Sequence, residues 1–132
     1  MVHGVDYPVR FAHLAPFRRD AREIWREIWS ESEVDDLEQY LALHPEAGDV
    51  IPGAGGVRKL RWKIAGRGKR GGVRIIYYFR DLNMPLYLIA VYKKSEKASL
   101  TQAERNQLRS LIEEIVDGHS QEWMRLVRDQ SA

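Results

Sequence analysis

Val57-Arg58-Lys59-Leu60-Arg61-Trp62-Lys63-Ile64-Ala65 alternates with a period of two. Leu60, Trp62 and Ile64 fall on one side of an extended chain, and Lys59, Arg61 and Lys63 on the other. The pattern predicts a strand with one apolar and one basic face. Gly66-Arg67-Gly68-Lys69-Arg70-Gly71-Gly72 follows as a glycine-rich hairpin loop, and Val73-Arg74-Ile75-Ile76-Tyr77-Tyr78-Phe79-Arg80 as a second strand. Asp81 to Pro85 reads as a turn, and Leu86 to Tyr92 as a third, nearly all-apolar strand central in the sheet. Connections this short predict antiparallel pairing of the three consecutive strands.

Toward the N-terminus, a short strand is expected within Tyr7–Leu14, and Pro16 suits a first helical turn. Ile24, Trp25, Ile28 and Trp29 recur at helical spacing within a helix over Phe17–Trp29. Ser30 and Glu33 have capping-box spacing, and Val34, Leu37 and Leu41 form the stripe of a second helix that His44-Pro45 ends. Gly48 to Gly56 holds too many breakers for a regular element. Beyond the strands, Thr101 and Glu104 make another capping box, opening a helix with Leu108, Leu111, Ile112 and Ile115 buried. Gly118 is expected to stop it, leaving Trp123, Met124 and Val127 to a short C-terminal helix. The expectation is an α+β fold, a small antiparallel sheet with helices packed on one face and a C-terminal helical extension.

The 132 residues and 44% hydrophobic content fit one soluble domain spanning 1–132. The absence of cysteine excludes a disulfide scaffold, a thiolate nucleophile and a thiolate metal site. No membrane span or signal pattern is visible, so the expected location is cytoplasmic. The net charge of +2 conceals a sharp asymmetry: residues 58–97 carry 12 Lys/Arg against 2 Asp/Glu, while residues 1–57 carry 5 against 11. From Arg58 to Arg74 there are eight basic residues and no acidic one. With helices on the Leu60 side, Lys59, Arg61 and Lys63 line the opposite, open face. Arg74 and Tyr78 share that side by strand parity. A face this basic repels itself unless a polyanion neutralises it, and Tyr78 and Tyr92 are placed to stack on unpaired bases. Charges on the open face of a half-exposed sheet are also ordinary, so a merely solvated surface is the alternative. Tyr77 and Phe79, on the other parity, are assigned to the core.

Gly48 to Arg61, Gly68 to Phe79 and Tyr92-Lys93-Lys94-Ser95-Glu96 together resemble the RelE/HigB family of type II toxin–antitoxin toxins, the HigB branch most closely. The resemblance covers about residues 20–116, which leaves 1–20 and 119–132 as extensions. It implies a RelE-like fold and a ribosome-dependent mRNA endonuclease that inhibits translation. Its implied partners are a cognate antitoxin protein, the ribosome and mRNA; operator DNA is reached only indirectly, through the antitoxin, and no membrane is involved. Carried over position by position, the basic pair on the strand is Lys59 and Arg61, the arginine that holds the scissile phosphate is Arg74, and the basic residue after the last strand is Lys94. Arg58, Lys63, Lys69, Arg70, Tyr78 and Tyr92 are the expected RNA contacts. Some relatives place a catalytic tyrosine just beyond Lys94, where this chain has Leu100.

The implied reaction is attack of a ribose 2′-hydroxyl on the adjacent phosphorus. No histidine lies between His44 and His119, so lysine and arginine are left to move protons and neutralise charge. No cofactor and no metal are expected, and His119 with Glu122 is only a lone ligand-spaced pair. Two competing functions are a non-enzymatic ParE-like gyrase inhibitor and an inactive RNA-binding module.

Overall fold

The computed structural model describes residues 8–27, 31–63, 72–97 and 99–130, with backbone alone for 25–27 and 119–130. Chain order is β1 (Phe11–His13), α1 (Ala15–Glu27), α2 (Glu31–Leu43), β2 (Asp49–Val50), β3 (Arg58–Trp62), β4 (Val73–Tyr78), β5 (Leu86–Lys93) and α3 (Gln102–Gln130). The strands form one sheet in the order β1-β5-β4-β3-β2. Strands β3, β4 and β5 pair antiparallel, as their short connections require. The sheet as a whole is mixed, because β1 runs parallel to β5. No short connection joins those two, so nothing local dictates their direction. Leu86 N–H donates to the Arg10 carbonyl and Leu14 N–H to the Leu88 carbonyl, closing that edge.

The first face carries Leu60, Val73, Ile75, Tyr77, Leu86, Leu88 and Val91. Phe17, Ala21 and Ile24 of α1 and Val34, Leu37, Leu41 and Ala42 of α2 cover it. Trp25, Ile28 and Trp29, expected on the same stripe, lie outside the described side chains, as does the cap expected at Ser30. Residues 9–20 are integral to the fold, since Val9 and Phe17 are buried in this core. Pro45 stops α2 as expected: the helix ends at Leu43, and His44 N–H makes the last bond back to Tyr40.

The helices do not all pack on one face. Ile76, Tyr78, Ile89 and Met84 form a second core with Ile51, Ala54, Val57 and Ile112 of α3, while Leu108, Leu111 and Ile115 pack against it. The reason is in the strands: β4 is apolar on both sides, apart from Arg74, so each side needs a cover. Ile76 pairs with Ala90 but Tyr77 with Leu88, which leaves Ile89 as an extra, bulged residue. The bulge keeps Leu88 and Val91 on the first face with Ile89 and Ala90 on the second.

The Gly48–Gly56 segment also differs from expectation, because Asp49 and Val50 pair with Lys59 and Arg58. The buried Tyr77 hydroxyl accepts from Gly48 N–H at 2.8 Å and donates to the Pro45 carbonyl at 2.9 Å. Gly48 is required there: a Cβ would sit 2.8 Å from the Tyr77 ring and 3.0 Å from the Lys59 carbonyl oxygen. Gly55 has φ +76°, and a Cβ there would lie 3.1 Å from the Arg109 Cα of α3, so a side chain is strained twice over. Helix α3 opens with both bonds of the capping box, Thr101 N–H to Glu104 and Glu104 N–H to Thr101 Oγ1. It then runs unbroken through Gly118 to Gln130, so the expected stop and separate C-terminal helix are replaced by one 29-residue helix. A lone glycine costs a helix only about 1 kcal/mol relative to alanine, and no proline follows to enforce an end.

Candidate functional site

The second face has a closed part under α3 and an open corner. Register places Arg61 of β3 opposite Arg74 of β4, and Arg74 opposite Tyr92 of β5. The three side chains share the second face in one row across the sheet. Lys59 lies one same-face step along β3, opposite Ile76. Arg61 and Lys63 are exposed and Lys59 half-buried. Arg74 is 8% exposed and is the only buried charged residue among those described.

The Arg74 environment is unusual for a buried charge. Its one described hydrogen bond is a long 3.5 Å contact from Nη1 to the Val73 carbonyl, and no described carboxylate pairs with it. Its partner across β3 is another arginine, a like-charge pair that costs stability. A guanidinium has five donors in a planar fork, and a buried one left unpaired is expensive. An anion with several oxygens at this corner would satisfy the fork and relieve the repulsion from Arg61.

Tyr92 closes the row on the β5 side. Its hydroxyl is buried without a hydrogen-bond partner among the described residues, a condition shared only by Arg105 Nε of α3. Burial pushes the Tyr92 phenol above its usual range, partly opposed by the Arg74 and Lys97 charges. At neutral pH it is therefore a neutral hydroxyl and not a phenolate base. The Lys97 ammonium lies 6.0 Å from the ring centroid and also pairs with Glu104 in the first turn of α3. Lys97 holds the Glu104 carboxyl below the ordinary carboxylate range, helped by the Thr101 N–H. Lys94 is exposed in the turn directly after β5.

Two expected RNA contacts do not join the row. Arg58 faces the loop after α2, donating to the Glu46 and Gly48 carbonyls at 3.1 and 2.8 Å, with the Glu46 carboxylate at 3.6 Å. It braces β3 and does not join the row. Tyr78 is on the expected side, but α3 and the glycine loop cover that end: it is 8% exposed, and a Cβ on Gly56 would lie 3.3 Å from its ring. It is core, not a stacking platform, and burial raises its phenol as well. Tyr77 is core as expected. Lys69 and Arg70 lie outside the described residues. Leu100 packs into the second core, so the position where relatives place a tyrosine is apolar here.

No sequence pattern marks Lys97, whereas the capping box marks Glu104 as the residue reaching back from α3. The pairing of Tyr40 with Trp62, whose ring centroids lie 5.5 Å apart at the outer edge of β3, has no sequence signature either. No periodic signal joins a helix residue to a strand edge, so that contact was visible only in three dimensions.

Among the described residues no helix is long and apolar enough to cross a membrane. The solution structure of a conserved hypothetical protein, HP0894, from Helicobacter pylori is similar over 66% of this chain and 96% of its own, at 13% identity and a TM-score of 0.31. The family model for the RelE toxin of the RelE / RelB toxin-antitoxin system matches residues 30–131, from α2 through α3. A toxin of such a system has a cognate antitoxin as its partner. With most of its length matched, and with α2, strands β2 to β5 and α3 inside the matched span, this chain belongs to the RelE toxin family.

Proposed function

We propose that this toxin is a ribosome-dependent mRNA endonuclease of the HigB branch, acting in the cytoplasm and needing no metal or cofactor. The observation that carries the reading is Arg74: a nearly buried guanidinium, without a carboxylate partner among the described residues, facing Arg61 across the strand pair. Its fork would hold two oxygens of the scissile phosphate, and Arg61 beside it would neutralise charge as the phosphorane forms. Attack of the 2′-hydroxyl on phosphorus breaks the bond to the 5′-oxygen, leaving a 2′,3′-cyclic phosphate and a 5′-hydroxyl. One proton leaves the attacking hydroxyl and one reaches the departing oxygen. Lys59 and Lys94 are the amines available for these transfers, and Tyr92 is a neutral donor at the row's end. A site with cations but no histidine is weak in acid–base terms. A ribosome that aligns the message in the reactive geometry would supply the missing rate.

Arg74→Ala and Lys59→Ala should abolish growth inhibition on induction while the purified proteins keep their circular dichroism spectrum. Primer extension on cellular mRNA should show codon-associated breaks with the wild type and none with either variant. Folded variants that remain fully toxic would remove these residues from the site, and DNA damage without mRNA breaks would favour gyrase as the target.

A further inference from the structure

We propose that the groove at the outer edge of β3, walled by Tyr40 and Trp62, is a stacking subsite for one unpaired nucleobase of the RNA held at the Arg74 row; the proposal rests on the reading of that row as an RNA site. The groove has a volume of about 330 Å³ and is lined by Tyr40, Leu60, Arg61, Trp62 and Lys63. Tyr40 of α2 is 39% exposed, unusual for a large ring beside a formed core. It is held at a tilt of 55° to Trp62, with His44 against it at 5.0 Å. Trp62 itself is packed on the first core, so the wall is rigid. Rigid, part-exposed aromatics suit a nucleobase, because every base offers a π-face whatever its sequence.

Position and charge select the occupant. Strand β2 pairs only with Arg58 and Lys59, so among the described residues no strand covers the outer edge of Leu60–Trp62. The row Tyr92–Arg74–Arg61 runs across the sheet toward this edge, and Arg61 belongs to both the row and the groove. A strand of RNA with its phosphate on the second face at Arg74 would pass Arg61, turn round the uncovered edge of β3 and reach Tyr40 and Trp62 on the first-face side. Both charged groups among the described lining residues, Arg61 and Lys63, are cations and suit the flanking phosphates. An extended protein segment adding to the open edge is the competing occupant. It would not account for Arg61 being shared with the Arg74 row.

The test is fluorescence anisotropy at low salt with a labelled hexaribonucleotide, 2′-O-methylated throughout so that it cannot be cleaved. Tyr40→Leu should weaken binding by about fivefold to a hundredfold, the range for one lost base–aromatic stack. Tyr40→Phe should bind like the wild type. An abasic substitution at one nucleotide should weaken the wild type and have no further effect on Tyr40→Leu. If Tyr40→Leu binds normally while Arg74→Ala does not, the subsite is overturned and the RNA reading of the row stands. If neither substitution matters, or the wild type does not bind, the RNA reading itself falls and the subsite with it. Unchanged RNA binding with a weakened antitoxin complex in Tyr40→Leu would assign the groove to protein and overturn the proposal.

Discussion

Arg74 and Tyr78 stand on the same side of the same strand, four residues apart, and meet opposite fates. At the Tyr78 end, α3 and the 51–57 segment close over the sheet and build a second core. At the Arg74 end, Arg74 is as little exposed as Tyr78, at 8%, but it has no place in the apolar core, and the face opens at its exposed neighbour Arg61 across the strand pair. Strand parity tells which side a residue takes but not whether that side is covered. Cover comes from an element distant in sequence, and the described side chains of α3 pack over only part of the face. The contrast also divides the energetics. The closed end buries apolar area that stabilises the fold, while the open corner keeps a like-charge pair that burdens it, a common arrangement where a site is held ready for a ligand.

The largest effect should come from breaking the closed end. Tyr78→Ala removes an aromatic ring from beneath Gly56 and should cost about 3–5 kcal/mol in urea denaturation, in line with other large-to-small core substitutions. A loss well under 1 kcal/mol would mean that this end is less tightly covered than the geometry requires. Arg74→Leu should act in the opposite direction. Replacing a buried cation that has no carboxylate partner among the described residues by an apolar side chain relieves desolvation and the repulsion from Arg61, so stability should rise by about 1 kcal/mol while toxicity disappears. The measurement is the midpoint of the same denaturation curve. Destabilisation by several kcal/mol would instead make Arg74 a structural tie and erase the distinction between the two ends.

Much of this contrast was legible in the residues. Alternation at Lys59, Arg61 and Lys63 and the apolar flanks of Arg74 placed all four cations on one side; the register keeps Lys59, Arg61 and Arg74 there, while Lys63 lies past the end of β3 in the edge groove. The three-strand order and both helices before it followed from short connections, periodicity and Pro45. What was not legible depended on long-range contact. Tyr78 satisfied the same parity rule as Arg74, and only the arrival of α3 separates them. Arg58 looked like one more member of the basic run, but the Glu46 and Gly48 carbonyls hold it. Gly118 looked like a stop because glycine often ends helices, although nothing after it breaks one. The parallel partner of β5 came from the far end of the chain, where no turn sets direction.

The smallest predicted effect probes what keeps the closed part closed. Helix α3 is pinned at its start by Glu104, which bonds Thr101 N–H and pairs with Lys97, whose ammonium also faces the Tyr92 ring. Lys97 and the Thr101 N–H hold the Glu104 carboxyl below its ordinary value of 4.5. A carboxylate depressed in the folded state contributes stability that is present above the unfolded value and lost as pH falls through the folded one. Both side chains are about one-third exposed, so solvent screens the pair. Glu104→Gln should therefore cost only about 0.5–1 kcal/mol at pH 7, the size of a lost capping interaction. The difference from the wild type should shrink as the solution is acidified below 4.5 and shrink again in 1 M salt. Amide exchange at residues 102–105 should quicken in the variant at pH 7 while the β3–β4 pairing beside Arg74 stays protected. An equal difference at both pH values would place the contribution of Glu104 in packing rather than charge. Faster exchange along β4 as well would show that the covered and open ends of this face unfold together, so that the helix which closes one end also stiffens the other.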